Sequence, residues 1–485
     1  MQKLNAVHEE ILKKITPTPA DRAKITALAE ELQRKVALAY EEQGVTVTVR
    51  VEGSVAKDTW LREEPEIDVF MRLPTTIPRK SLGEISLKMA RKATEGASKQ
   101  VERFAEHPYL EAFIDSVRLN IVPCYGVKRG EWLSATDRTP FHTDYVKKRL
   151  NEGSRGEVRL LKKFLKGVDA YGAEIKTGGF SGYLCEILIV HHQSFAETLR
   201  AFAGYMQRVA IDIEGYYEGK EKELNRLFPE PLVIVDPVDK ARNVASAVQP
   251  QKLYTLVAAA RAFLKTPDAK FFYPPKINAL TPEALAAKLE NRAASLIFLT
   301  LGNIDAVPDV LWGQLYKTQR ALRKLAELND FKVLRDAAWS DETTLSVFVF
   351  ELEQHVLPGV KKHLGPPLKR EKECENFLSK YDSKGGVVSG PYVEDGRWVV
   401  ELQRNFTSVV ELLRANLSDG GRNIGVAGLM AQAFQEKLEV LVNSEVVEVY
   451  RGNREFAEFL TGFLSGKPFW LEPADAHSKS TLANK

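Results

Sequence analysis

Cysteine is scarce in this chain: three in 485 residues, Cys124, Cys185 and Cys374, far apart and without CxxC spacing. That excludes a disulfide scaffold and a cysteine-based zinc module, and leaves the three as apolar core residues. Long apolar runs are also missing. The best uncharged stretches, Ala293 to Leu301 and Ile424 to Phe434, reach only about half a membrane span. No transmembrane helix is expected. The first ten residues hold no apolar segment of the kind that starts a signal peptide, so the expected location is cytoplasmic. Charge of one sign is not in excess either. The formal net charge is +3, too small to imply a nucleic-acid partner without local clustering.

What is present is an ordinary globular composition, 44% hydrophobic and 27% charged, long enough for about three domains. Leu28, Leu32, Val36 and Ala39 recur at helical spacing and predict an opening helix over Pro19 to Glu42. Val45 to Val51 alternates with period two, a strand that runs into Gly53-Ser54. A second strand is expected over Glu66 to Leu73, a helix over about Ser81 to Phe104, and a third strand over about Val117 to Tyr125. From Thr143 to about Lys265 the pattern is mainly helical. Between 147 and 166 eight basic residues stand against two acidic ones, and Arg159, Lys162, Lys163 and Lys166 fall at i, i+3, i+4 and i+7. The expectation is a cationic stripe available to phosphates or RNA. After Pro274-Pro275, a β-α-β-β order (Ala294 to Leu301, a leucine-lined helix, Phe331 to Leu334, Leu345 to Leu352) predicts an antiparallel sheet with a helix on one face. Gly365 to Asn416 reads as a loop-rich inserted lobe.

The chemistry concentrates near the N-terminus. In a strand, residues two apart share a face, so Glu66 and Asp68 present paired carboxylates while Ile67 packs behind. Paired carboxylates suit a hard divalent cation that completes its shell with phosphate oxygens. Gly53-Ser54, at a strand end 13 residues earlier, allows close backbone approach to phosphate. A third carboxylate on the neighbouring strand would complete a two-metal site; that strand carries Asn120. An amide supplies one neutral oxygen and accepts no proton. His142 and His191-His192 have no metal-ligand spacing and read as structural.

These motifs occur in order with Val122-Pro123-Cys124-Tyr125, Asp137-Arg138-Thr139-Pro140-Phe141-His142, Gly178-Gly179-Phe180-Ser181-Gly182-Tyr183-Leu184-Cys185-Glu186, Val235-Asp236-Pro237-Val238-Asp239 and Arg242-Asn243. Together they resemble the archaeal class I CCA-adding enzymes, tRNA nucleotidyltransferases of the polymerase β type. The resemblance implies an α+β architecture. Its parts are a polymerase β-like nucleotidyltransferase head over 1-142, a helical central domain over 143-266, and a C-terminal tRNA-binding region over 267-485 with an RRM-like sheet and the lobe around 365-416.

It further implies addition of CCA to the 3′ end of tRNA from CTP and ATP with Mg²⁺, with Glu66, Asp68 and the position of Asn120 as catalytic metal ligands. Gly53, Ser54 and Lys57, where the family often has arginine, would contact the nucleotide phosphates. Lys162 and Tyr171 would hold the triphosphate, His107 and Thr139 would line the nucleotide pocket, and Arg242 with Asn243 would read the incoming base. RNA contact would rest on the basic helix and the C-terminal sheet, directed at the acceptor arm, and a homodimer is a further expectation. Asn120 stands where the family has its third catalytic aspartate, which predicts impaired chemistry and leaves two other readings open: an inactive tRNA-binding homologue, and a poly(A)- or oligoadenylate-type transferase.

Overall fold

The computed structural model describes residues 2–104, 106–382 and 385–472. They form two compact units: the chain up to Lys276 together with the segment from Lys467, and Ile277–Gly466.

The first unit opens with α1 (Gln2–Ile15) and α2 (Pro19–Glu41). Thr18 and Asp21 cap α2 reciprocally, and proline occupies its first turn, a favourable helix start. There follow β1 (Thr48–Glu52), the short α3 (Gly53–Lys57), β2 (Glu66–Leu73), α4 (Arg79–Ala93), β3 (Lys99–Phe104), β4 (Pro108–Ile114) and β5 (Val117–Tyr125). The five strands lie in the order β1-β2-β5-β4-β3, with β2 and β5 parallel and the other pairs antiparallel.

The expected helix over 81–104 ends at Ala93 instead. The Thr94 hydroxyl donates to the Ala90 carbonyl, Gly96 turns at φ 91°, and 99–104 becomes an edge strand against β4, itself unforeseen. The polar residues Lys99, Gln100, Glu102 and Arg103 of that strand mimic a solvated helix face. Ile67, Val69, Met71, Leu110, Leu119 and Ile121 fill one side of the sheet with the buried stripes of α2 and α4. The period-two alternation sends Glu66, Asp68, Asn120 and Glu111 to the opposite side.

The remainder of this unit comprises α5 (Thr139–Arg149), α6 (Glu152–Gly167), α7 (Gly182–His192), α8 (Phe195–Ala203), β6 (Val209–Ile211), α9 (Glu221–Leu227), β7 (Leu232–Asp236), β8 (Asp239–Asn243) and α10 (Pro250–Lys265). A small β6-β7-β8 sheet thus interrupts the expected helical run. Phe164, Phe195, Phe263, Phe271 and Phe272 knit the helices into one core.

The second unit contains α11 (Pro282–Glu290), β9 (Ser295–Leu301), α12 (Pro308–Leu328), β10 (Val333–Ser340), β11 (Ser346–Leu352), β12 (Val360–Pro367), α13 (Glu371–Asp382), β13 (Val387–Glu394), β14 (Arg397–Gln403), α14 (Val409–Leu417), α15 (Gly428–Glu436), β15 (Glu439–Val442), α16 (Val447–Gly452) and α17 (Arg454–Ser465). The expected antiparallel sheet is there, ordered β10-β11-β9-β15. Both of its faces are covered, however. Ile297, Leu299, Phe348 and Phe350 pack with residues of α12, α14 and α15, while Leu296, Phe298, Val347 and Val349 pack with residues of α11, α16 and α17. An uninterrupted apolar strand such as β11 signals burial on both sides, and the sheet offers no open face for RNA. The stretch expected to be loop-rich is largely regular: β12-β14-β13 form a three-stranded sheet, and Phe377 and Tyr381 of α13 pack on Val400. Among the described residues no helix is long and apolar enough to cross a membrane.

Candidate active site

The site is built on one row of the first sheet. Asp68 stands opposite Glu52 in β1 and Asn120 in β5, and Asn120 stands opposite Glu111 in β4. The Asn120 amide nitrogen donates to Glu66 Oε1 at 2.6 Å and to Asp68 Oδ1 at 2.9 Å. Burial and then the charge of Glu66 push the Asp68 carboxyl up to about 7, because two carboxylates brought together out of water resist double ionisation. Gly53, at the β1–α3 junction, has φ 68°, and a Cβ there would lie 1.9 Å from Asp68 Oδ2. Only glycine permits this approach.

Two oxygen-donor carboxylates on one face fit a hard divalent cation. Asn120 does not extend the set as it stands, since it turns N–H groups toward both carboxylates. Among the described residues no cluster of three or more histidine, cysteine, aspartate or glutamate side chains is suited to hold a metal. The three cysteines are buried and unpaired.

Beside the carboxylates opens a cavity of about 430 Å³ whose lining includes Ser54, Glu66, Arg118, Lys162, Lys166 and Tyr171. Lys162 reaches it from α6, donating to the Thr59 carbonyl at 3.1 Å and hydroxyl at 3.2 Å. Burial lowers its pKa. Lys57 is buried against Glu186 of α7, which also accepts from the Thr59 hydroxyl at 2.6 Å. A Cβ on Gly182 would meet the Tyr171 hydroxyl at 3.1 Å and the Lys162 ammonium at 3.4 Å, so Gly182 lets these two groups converge at the start of α7.

The cationic stripe requires correction as an open phosphate- or RNA-facing surface. Arg159, Lys162 and Lys163 are only 2%, 3% and 8% exposed. Arg159 donates to the Trp60 carbonyl at 3.0 Å and to Asp58 at 2.6 Å, Lys163 pairs with Glu63, and Lys166 with Glu64. The stripe fastens α6 to the segment between α3 and β2. Helical spacing identified a face of like charge, but could not show that acidic and carbonyl partners cover it.

His107 lies apart from the carboxylates. His107 precedes β4 by one residue and sits four residues from Glu111, which at the strand rise is about 13 Å from the Asn120 row. Its ring meets Tyr125 edge-on at 6.3 Å, its Nε2 is buried without a hydrogen-bond partner, and burial lowers its pKa. Thr139 opens α5.

Arg242 and Asn243 end β8 with different uses. Asn243 Oδ1 accepts from the Ile234 and Ala245 amides at 2.9 Å, and Nδ2 donates to the Leu232 carbonyl at 3.1 Å. Its amide is committed to the hairpin. Arg242 Nη1 donates to Asp236 Oδ2 at 2.7 Å, where His142 Nε2 also binds at 2.8 Å, and the Tyr183 hydroxyl donates to Asp236 Oδ1 at 3.1 Å. His142 and Tyr183 stack at 4.0 Å, and the Lys57 ammonium stands 5.8 Å above the Tyr183 ring. Asp236, Tyr183, Glu186 and Arg118 are the participants sequence reasoning missed. The first three lay inside quoted motifs, but no spacing shows which distant groups pair.

Protein-family models described as "tRNA nucleotidyltransferase, second domain" and "CCA-adding enzyme, C-terminal domain" match residues 156–273 and 292–442. The chain is 36% identical over 452 residues to the CCA-adding enzyme of Methanosarcina barkeri, covering 92% of this chain and 96% of that one. It is 34% identical over 470 residues to that of Halobacterium salinarum, covering 96% and 98%. With that of Methanothermobacter thermautotrophicus it shares 34% over 467 residues, covering 94% and 98%. A solved structure of E. coli CdnC with ATP aligns with 56% of this chain and 94% of its own, at 19% identity and a TM-score of 0.42. The paired carboxylates of β2, the glycine that admits Asp68 and near full-length identity to these archaeal proteins lead to one conclusion: the chain belongs to the CCA-adding enzyme family of tRNA nucleotidyltransferases.

Proposed function

We propose that this protein adds C, C and A to the 3′ end of tRNA, without a nucleic-acid template, from CTP and ATP. The observation that carries the reading is Glu66 and Asp68 on one face beside Asn120, at the mouth of a cavity lined by Ser54, Lys162 and Tyr171, in a chain whose relatives are named CCA-adding enzymes. The 3′ oxygen of the tRNA forms a bond to the α-phosphorus of the nucleotide. The bond from that phosphorus to the bridging oxygen breaks, pyrophosphate leaves with the electron pair, and the hydroxyl proton passes to water.

Glu66 and Asp68 would hold Mg²⁺, which when bound neutralises charge developing on the phosphoryl oxygens. Ser54, Lys162 and Tyr171 bind the triphosphate, Lys57 fixes the wall behind it, and Arg242, aimed by Asp236, meets the base. Asn120, neutral and donating, weakens the step by about 10²-fold relative to an aspartate. Cytoplasmic action and a homodimer complete the proposal, the latter checked by sedimentation velocity.

A second reading, a tRNA-binding homologue without catalysis, is favoured by Asn120 alone. Extension of tRNA transcripts ending before CCA, after C and after CC, with labelled CTP and ATP and Mg²⁺, separates the two. Faster completion to CCA by Asn120→Asp than by the parent supports the enzyme. Binding of tRNA without extension by either protein supports the second reading. Extension by long runs of A would instead mark a poly(A)-type transferase.

A further inference from the structure

Among the charged side chains lining the cavity, Arg118 differs in what it lacks. It stands in β5 two residues before Asn120, hence on the same face, and is the register partner of Glu66 across the parallel β2–β5 pair. Its side chain is 52% exposed. Nη1 lies 3.7 Å from Glu66 Oε1 and Nε lies 3.8 Å from Glu111 Oε2, both beyond hydrogen-bond length, and it makes no side-chain hydrogen bond among the described residues. Lys162 and Lys166 in the same lining are each engaged with a protein acceptor at close range, as is the buried Lys57 at the end of α3. Glu111, which could otherwise neutralise Arg118, is drawn away by Arg103, whose Nη2 donates to its Oε1 at 2.9 Å. Arg118 is therefore the loosely held cation at the carboxylate end of the cavity lining, with its fork free to form two N–H donations.

We propose that Arg118 is a further catalytic residue, whose guanidinium contacts the α-phosphoryl group as it is transferred and supplies the positive charge that Asn120 cannot gather. This rests on the nucleotidyl-transfer reading above. With Asn120 neutral, Glu66 and Asp68 have charge enough for one divalent cation. A guanidinium stays ionised at any working pH, and its planar fork matches two phosphoryl oxygens. Arginines that meet a transferring phosphoryl group raise phosphoryl-transfer rates by about 10³–10⁵-fold. Arg118 thus stands to Asn120 as a compensating charge on the same strand. Restoring an aspartate at that position would make it partly redundant.

The test uses the full chain with Arg118→Gln and Arg118→Lys, each alone and combined with Asn120→Asp. Single-turnover incorporation from CTP should fall by about 10²-fold for Arg118→Gln in the parent and by under about fivefold in the Asn120→Asp background, with Arg118→Lys between. Binding of the non-hydrolysable α,β-methylene CTP in Mn²⁺ supplies a readout without turnover: Arg118→Gln should weaken it about tenfold in the parent and hardly at all in the Asn120→Asp background. Electron paramagnetic resonance should count one Mn²⁺ per parent chain with the analogue and two after Asn120→Asp. Equal effects of Arg118→Gln in both backgrounds, or two Mn²⁺ on the parent, overturn the proposal. Should the Asn120→Asp chain extend no tRNA, the transferase reading fails, and analogue affinity together with the Mn²⁺ count still decides the role of Arg118.

Discussion

Lys57 and Glu186, 129 residues apart, form an ion pair closed off from water. The ammonium comes from the end of α3 and the carboxylate from the middle of α7. Glu186 also accepts from Thr59 and lies 3.5 Å from Lys162. One carboxylate therefore joins the carboxylate-bearing sheet to the two helices that carry Lys162 and close over Tyr171.

Glu186→Gln should be strongly destabilising. It leaves two buried ammonium groups facing a neutral amide, and breaking a buried pair by removing one partner costs about 3–5 kcal/mol. Urea unfolding followed by tryptophan fluorescence measures the loss. An unchanged midpoint would show that the pair is not the joint described.

Gly53→Ala should damage the site more than the fold. The substitution imposes a left-handed conformation on alanine, at about 1–2 kcal/mol, and drives a methyl group into Asp68. Binding of Mn²⁺ with nucleotide should weaken by about tenfold or more, while circular dichroism remains near that of the parent. Undiminished Mn²⁺ affinity would mean that Asp68 moves without consequence.

The stripe on α6 yields a contrast between binding and stability. Lys163→Ala and Arg159→Ala should leave the salt dependence of tRNA binding unaltered, since neither cation is free to displace counterions from phosphate. Each should lower the melting temperature, Arg159→Ala more, because its loss strands the buried Trp60 carbonyl and Asp58. A salt slope reduced by about one per lysine removed would restore the RNA-facing reading.

Around Asp236 the pH dependence has a defined sign. Burial would raise this carboxyl, but the hydrogen bond and charge from His142, with Arg242, bring it down to about 2. Burial also lowers the His142 pKa, against the pull of Asp236. A depressed histidine loses folding stability as pH falls below its ordinary value near 6.5, where only the unfolded chain takes up the proton. A depressed aspartate keeps its contribution above about 4 and loses it as pH falls toward 2. His142→Gln should therefore flatten the fall in melting temperature between about pH 6.5 and 5, while Asp236→Asn should reduce discrimination between CTP and ATP by freeing Arg242. A melting curve of identical slope in His142→Gln would remove His142 from the account.

Much of the fold was legible in local patterns. The strands β2 and β5 and the helix over 19–41 appeared where the pattern placed them, although α1 precedes that helix and the strand expected over 45–51 covers Thr48–Glu52. The edge strand β3 escaped notice because both its faces carry polar residues, so nothing in its pattern separates it from a charged helix. The second face of the C-terminal sheet escaped because two of its three covering helices, α16 and α17, come long after the strands they cover.

At the site, chain order alone determined that Glu66 and Asp68 share a face, that Gly53-Ser54 ends the strand before them, and that an amide occupies the place of a third carboxylate. The first two relations follow from local period and order and need no partner, whereas the third came from the family resemblance and is realised by the pairing of β2 with β5. Tertiary structure alone decided that Lys162 and Lys163 are buried, that Asp236 gathers Arg242, His142 and Tyr183, that Asn243 serves its own hairpin, and that Arg118 meets Glu66 and Glu111 only beyond hydrogen-bond length. The physical reason is common to all four. A side chain's polarity is written in the sequence, but whether it is satisfied depends on which partners, a hundred residues away or on the neighbouring strand, packing brings within about 3 Å.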